Sequence, residues 1–322
     1  MEPRDLVVGT VILLQSVLGI VGNFSLLSHQ IFLNLTASRL RLTDLVIRNL
    51  IVANFMLLFS RGIGYVVTYF GWCEESDFGC KFQFYIGGVG RGVSISTTCL
   101  LSVVQASTVS PRGSTWAGLR DKAPRYTCPS LALCWVLSLL ANVLYPMFMS
   151  SIHSHKNDTS RKIFGECSSV RHDTARDFLH GALLSFPDVV FFVTMAWASG
   201  SLVCTLYRHR QRVRHLHSSR AAPASSPESR ATRTILLLVS TFICLNSISS
   251  IMNTALSVIY NPDLFLLNFN TVIILCFPTL CPFLLLSREP KRSQLCSACT
   301  AKSPALCKHV HRVQVRGCLV AS

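Results

Sequence analysis

Charge is what this sequence has least of. Asp, Glu, Lys and Arg make up 14% of its 322 residues, where about 25% is usual in soluble domains. Water-soluble domains of this total length would need more polar surface than that. Strict apolar–polar alternation is also missing, which excludes a membrane β-barrel. The residues before the first apolar run, "MEPRD", carry no net positive charge and no small-residue cleavage site, so a removable signal peptide is not expected. The two halves show no repeated, paired broken segments of the kind common in transporters. No His-Glu-x-x-His motif and no cluster of catalytic carboxylates or histidines stands within the apolar runs, which argues against an enzyme.

What is there is apolar and comes in long stretches. Half of the residues are hydrophobic, and the mean hydropathy is +0.44. Residues 6–28, "LVVGTVILLQSVLGIVGNFSLLS", carry no charge and are long enough to cross a hydrocarbon core of ~30 Å as a helix. Similar runs follow at about 43–67, 82–105, 128–150, 179–207, 233–259 and 265–287. The expected fold is an all-α membrane protein, a seven-transmembrane helix bundle. Residues 1–290 form the bundle domain, and 291–322 a basic, cysteine-rich tail.

Lys and Arg set the orientation. With the N terminus outside, 20 basic residues fall on the inner side and seven on the outer side. The expectation is N terminus outside, C terminus cytoplasmic. The basic stretch "YRHRQRVRHLHSSR" (207–220) then lies at the inner end of span five, running into a cytoplasmic loop. The formal charge of +15 is read as this bias together with attraction to anionic membrane lipid. It is not read as a nucleic-acid footprint. Arg112, Arg208, Arg210, Arg212 and Arg214 become candidates for docking an intracellular signalling protein.

On the outer side stand Cys73, Cys80 and Cys167, where disulfides persist. Cys80 with Cys167 is the expected bridge, closing a ring for which the chain-entropy model allows about 4–5 kcal/mol. Cys73 competes for either partner. "NDT" at 157–159 makes Asn157 a glycosylation acceptor, whereas "NFS" (23–25) lies inside span one and "NLT" (34–36) on the inner side. Cys296 and Cys299, amid basic residues after the last span, are candidates for acylation. No metal or other cofactor is expected.

A charge within the bilayer costs about 2.5–3.5 kcal/mol by insertion scales and demands a partner. Arg48 and Arg61 lie near the ends of span two and are expected to snorkel outward. Arg91, in "GGVGRGVS", lies about 16 Å along the helix from Cys80. The glycines at 88 and 92 form a Gly-x-x-x-Gly face for close helix approach. Asp188, in "SFPDVV", lies at a comparable depth in span five, so an Arg91–Asp188 pair is expected. Arg91, Asp188 and Ser94 are the candidate ligand-binding residues.

Longer blocks carry a resemblance. "GN" (22–23) and "LIVAN" (50–54) look like polar positions of the G-protein-coupled receptor superfamily. The Asp-Arg-Tyr of rhodopsin-like receptors is replaced by "VVQASTVSP" (103–111), and their Asn-Pro-x-x-Tyr by "CFPTLCPF" (276–283). Together with "TDLVIRNLIVANF" (43–55), "GCKFQFY" (79–85), "VGRGVSISTTCLLSVVQ" (89–105), "WASGSLVCTLYRHRQRVRHLH" (197–217) and "RATRTILLLVSTF" (230–242), the chain resembles the vomeronasal type-1 receptors over about residues 5–290. Gly64 departs from a proline frequent in that family and Cys281 from a common serine. The resemblance implies a multi-pass plasma-membrane receptor that binds small volatile or steroid-like ligands and activates an inhibitory-type heterotrimeric G protein. A bitter-taste-type receptor is the nearest alternative, but that family lacks the expected bridge. A transporter is a more distant one.

Enzymatic removal of N-linked sugar is expected to shift the electrophoretic mobility of the wild-type chain but not of Asn157→Gln. A shift that survives this substitution would place another acceptor outside and overturn the orientation.

Overall fold

A computed structural model describes residues 3–36, 42–70, 76–109, 116–151, 161–164, 167–170, 174–216, 227–259 and 262–286. Seven of its helices contain a stretch long and apolar enough to cross a membrane: Leu6–Phe32, Leu42–Val67, Asp77–Thr108, Gly118–Met147, Gly181–Thr205, Val239–Leu256 and Leu264–Leu286. The elements are α1 (Pro3–Thr36), α2 (Leu42–Leu57), a π-helical turn (Leu58–Ile63), α3 (Gly64–Tyr69) and α4 (Asp77–Val109). They continue with α5 (Ala117–Ala141), α6 (Leu144–Phe148), β1 (Met149–Ser151), β2 (Arg161–Phe164), β3 (Cys167–Val170), α7 (Thr174–Leu216), α8 (Pro227–Val258) and α9 (Leu264–Leu286). Span two comprises α2 through α3, and spans three, four, five, six and seven are built on α4, α5, α7, α8 and α9.

Apolar side chains cover the outside as well as the core. Phe186 is 67% exposed and Trp197 71% exposed on α7, and Leu137 and Leu140 stand out from α5. Such surface suits hydrocarbon rather than water. Inside, Leu50, Ile95, Leu101, Met195, Phe242 and Phe277 belong to one cluster that draws on spans two, three, five, six and seven. The Phe242 and Phe277 rings meet edge to face at 4.3 Å between centroids.

The Gly-rich segment of α4 lets its neighbours approach closely. A Cβ on Gly88 would lie 2.2 Å from Asn142 Oδ1, and one on Gly92 would lie 2.9 Å from Ser138 Oγ. On another face, a Cβ on Gly90 would lie 3.0 Å from the Ala53 carbonyl oxygen and 3.1 Å from the Leu57 nitrogen. The 88/92 face therefore packs on span four, while Gly90 meets the backbone of span two.

Prolines and asparagines complement one another at the other side of the bundle. Pro282 has no N–H, so the Pro278 carbonyl lacks its usual helical donor. Asn23 Nδ2 donates to that carbonyl at 2.9 Å and to the Gly19 carbonyl at 2.8 Å. Asn54 Nδ2 donates to Asn23 Oδ1 at 3.2 Å, and Ser94 Oγ donates to Asn54 Oδ1 at 3.4 Å. Four spans are tied by this chain of bonds, and the carbonyl freed by Pro282 is not left facing lipid.

Span four is helical to Ala141, steps at residues 142–143 where Asn142 Nδ2 donates to the Ser138 carbonyl at 2.7 Å, and resumes as α6 through Phe148, close to the expected end near 150. Met149 then enters β1. The strands form an antiparallel sheet ordered β1-β3-β2. The apolar part of span five runs Gly181–Thr205, close to the expected 179–207, and its helix continues past that part through Leu216. The run from Tyr207 to Leu216 contains no glycine or proline to stop it. Arg61 does not snorkel: its guanidinium carbon lies 4.2 Å from the Phe84 ring centroid. Arg48 is only half-buried, but its Nε is enclosed and has no hydrogen-bond partner among the described residues.

Gly88→Val is expected to weaken the bundle by about 1–3 kcal/mol through overpacking against Asn142. Thermal unfolding of the purified protein in detergent measures this. An unchanged midpoint would mean that α4 and α5 do not approach this closely.

Candidate functional site

The site is built downward along one face of α4. Cys80 opens it and is bonded to Cys167 of β3, with 5.7 Å between the Cα atoms. The bond holds the sheet on this end of the bundle, where Cys80, Met149 and Cys167 are buried together with Phe84, Tyr145 and Phe164 packed around them. Asp77 Oδ1 adds a second tie by accepting from the Ser151 N–H at 2.7 Å. Cys73, the competing cysteine, lies outside the described residues.

One turn below Cys80, Phe84 packs against Tyr145 at 6.0 Å and Phe164 at 6.2 Å between ring centroids. Arg61 covers the same ring. Its position depends on two local features. The π-helical turn is closed by the Gly64 N–H donating to the Phe59 carbonyl, a wider step that re-phases the following residues. In addition, Gly87 has no Cβ, which would otherwise stand 2.8 Å from Arg61 Nε.

Two turns below Phe84 is Arg91. Its Nη1 donates to Asp188 Oδ2 at 2.8 Å, and its Nη2 donates to Ser250 Oγ at 2.6 Å. Ser250 Oγ also lies 2.9 Å from Asp188 Oδ2 and 2.9 Å from the Asn246 carbonyl, as donor to either. Side-chain exposure is 17% for Arg91 and 8% for Asp188. Spans three, five and six therefore meet at a neutralised, largely buried charge pair with a hydroxyl as its third member.

Further polar contacts extend this belt. Ser185 and Thr254 hydroxyls lie 2.8 Å apart between α7 and α8. Asn270 Nδ2 donates to Asn253 Oδ1 at 2.9 Å between α9 and α8. Tyr65 donates its hydroxyl proton to Asn268 Oδ1, joining α3 to α9. Buried atoms with no hydrogen-bond partner among the described residues include Arg91 Nε, Ser249 Oγ and Asn270 Oδ1. A polar group on a small molecule entering the bundle would find donors and acceptors here, amid apolar walls.

The structure thus brings Arg91 and Asp188 together. Ser94 is placed elsewhere, bonded to Asn54 in the Asn23 network. Arg208 is exposed on α7, and Arg210, Arg212 and Arg214 follow on the same helix. Arg112, Asn157, Cys296 and Cys299 lie outside the described residues. Two members of the site went unread in the sequence. Ser250 is one serine among several in "SISS", with no signal to single it out. Arg61 does signal, as a charge in an apolar span, but its place near the end of that span suits snorkelling as well as burial.

Asp188→Asn is expected to cost about 3–5 kcal/mol, because it leaves a buried guanidinium uncompensated. Arg91→Met with Asp188→Leu should recover most of that loss. Thermal unfolding of the single and double variants in detergent makes the comparison. A double variant no more stable than Asp188→Asn would show that the two side chains are not coupled.

Comparison with known proteins places this architecture. Residues 6–298 match the family described as the vomeronasal organ pheromone receptor family. The chain is 43% identical to human vomeronasal type-1 receptor 4 over 299 residues, covering 92% of this chain and 99% of that receptor. It is 42% identical to human vomeronasal type-1 receptor 2 over 292 residues, covering 90% of this chain and 74% of that one. Rat vomeronasal type-1 receptor 90 is 32% identical over 284 residues, covering 86% and 89%. The chain belongs to the vomeronasal organ pheromone receptor family, and is a multi-pass receptor of the cell membrane rather than an enzyme.

Proposed function

We propose that this receptor binds a small, largely apolar volatile or steroid-like ligand within the bundle and couples that binding to an inhibitory-type heterotrimeric G protein. The observation that carries the reading is the Arg91–Asp188–Ser250 junction, where three spans share one set of polar bonds. A ligand that competes for any of these bonds favours one arrangement of α4, α7 and α8 over another. Only such a difference in affinity between arrangements can drive a conformational change.

In this reading the disulfide end faces outward and the basic end faces the cytoplasm. The ligand enters from outside and contacts the inner faces of α4, α7 and α8. The arrangement it favours opens the cytoplasmic face around Arg112–Arg125 and Arg208–Arg214, where positive charge meets the G protein. The outer loop carries sugar at Asn157, and acylation of Cys296 or Cys299 holds the basic tail on anionic lipid.

The test is G-protein activation against a panel of volatiles and steroids, in cells where an N-terminal tag stains without permeabilisation. A response by wild type that Arg91→Ala abolishes, at equal surface staining, is expected. A response that survives Arg91→Ala unchanged would remove the junction from ligand sensing.

A further inference from the structure

Near the end of the third span stands a buried side chain with no hydrogen-bond partner among the described residues. Gln105 of α4 is 3% exposed. Neither its amide nitrogen nor its amide oxygen has a hydrogen-bond partner among the described residues. Its polar neighbours solve the same problem within their own helix. Ser102 Oγ donates to the Thr98 carbonyl at 2.9 Å, Ser107 Oγ to the Val104 carbonyl at 2.8 Å, and Thr108 Oγ1 to the Gln105 carbonyl at 2.9 Å. A primary amide brings two N–H donors and an oxygen with two lone pairs. One short hydroxyl-type bond to the preceding turn does not satisfy it.

The face of α4 that carries Gln105 joins, one turn earlier, an apolar cluster shared by several helices. Leu101, one turn earlier on the same face, clusters with Leu202 of α7, Val239 and Phe242 of α8, and Cys281 and Leu285 of α9. Gln105 is the next residue on that face. It lies roughly 38 Å along the helix from Cys80, at the end of the bundle opposite the disulfide-tied sheet. A leucine there would extend the cluster.

A buried polar group left unbonded destabilises whichever arrangement buries it, and any arrangement that lets water or another chain reach it relieves that penalty. We infer that Gln105 is a positioning residue for signalling: its unbonded amide raises the free energy of the closed bundle relative to one opened at the Gln105 end. This rests on the G-protein-coupled reading above. In the opened bundle the amide bonds to water or to main-chain groups of the entering signalling protein. Gln105 thereby sets how readily the unliganded receptor opens. The Arg91 junction, about four helical turns closer to the disulfide, decides how a ligand changes that balance.

The experiment uses membranes carrying the full chain at matched receptor amounts, mixed with a heterotrimeric G protein and a nonhydrolysable GTP analogue. No ligand is needed. Gln105→Leu nearly conserves volume and removes both unbonded groups, so unliganded nucleotide exchange should fall roughly tenfold. The Tm of the purified receptor should rise. Gln105→Glu carries a carboxyl that is harder still to bury, and should raise unliganded exchange while lowering Tm. Opposite movement by the two variants is not what general damage to the fold produces. Exchange that both variants leave unmoved, or move in the same direction, overturns the inference. So does exchange by every variant at the level of receptor-free membranes. In each case the ligand panel reports separately on whether the receptor couples to a G protein at all.

Discussion

A guanidinium placed inside hydrocarbon must bring its counter-charge with it, and the interior of this receptor is organised around that requirement. Arg91 sits two turns below the aromatic stack at Phe84, too deep to reach headgroups by snorkelling. Its partner Asp188 comes from a helix nearly a hundred residues later in the chain. Three helices are therefore held to one register: α4 supplies the cation, α7 the anion and α8 the Ser250 hydroxyl between them. Replacing such a pair with apolar side chains can leave a fold as stable as before. In the function proposed above, its value lies instead in being specific in geometry and breakable by a competing polar group.

The same constraint explains the rest of the interior. Lipid offers no hydrogen bonds, so every carbonyl released by a proline needs a donor from within. Asn23 meets that need at Pro278, and Asn54 and Ser94 extend the chain to spans two and three. Glycines play the complementary part. With Gly88 and Gly92 against Asn142 and Ser138, and Gly90 against the backbone of span two, dispersion contacts replace the hydrophobic drive that is absent between helices in a membrane. Gln105 departs from this background: its buried amide has no hydrogen-bond partner among the described residues.

Much of the site was readable from residue order alone, and the reasons are specific. Depth along a helix is a count of residues, so Arg91 and Asp188 could be matched by depth and sign. The choice of Cys80 and Cys167 followed from sidedness, with Cys73 as the open competitor. Other features left no trace in the pattern. The π-helical turn at Leu58–Ile63 contains no proline to announce it, and it governs where Arg61 points. Ser250 carries no charge and has serine neighbours. Asn142 marks a step in the helix of span four inside a continuous apolar run, so hydropathy alone does not reveal it.

By itself, then, the sequence determined a bilayer protein of seven helices, the pairing of its deepest charges and its membership of a receptor family. Each of these follows from composition, residue count or long matching blocks, which survive without knowledge of contacts. Only the tertiary structure decided that Ser250 completes the charge pair, that Ser94 belongs to the Asn23–Asn54 network, that Arg61 lies on Phe84 and that the Gln105 amide is buried with no hydrogen-bond partner among the described residues. Hydrogen bonds and ring contacts between helices depend on the rotation and closeness of each helix against its neighbours. Those are set by packing at positions such as Gly87, Gly88 and Gly90, and no one-dimensional pattern records them.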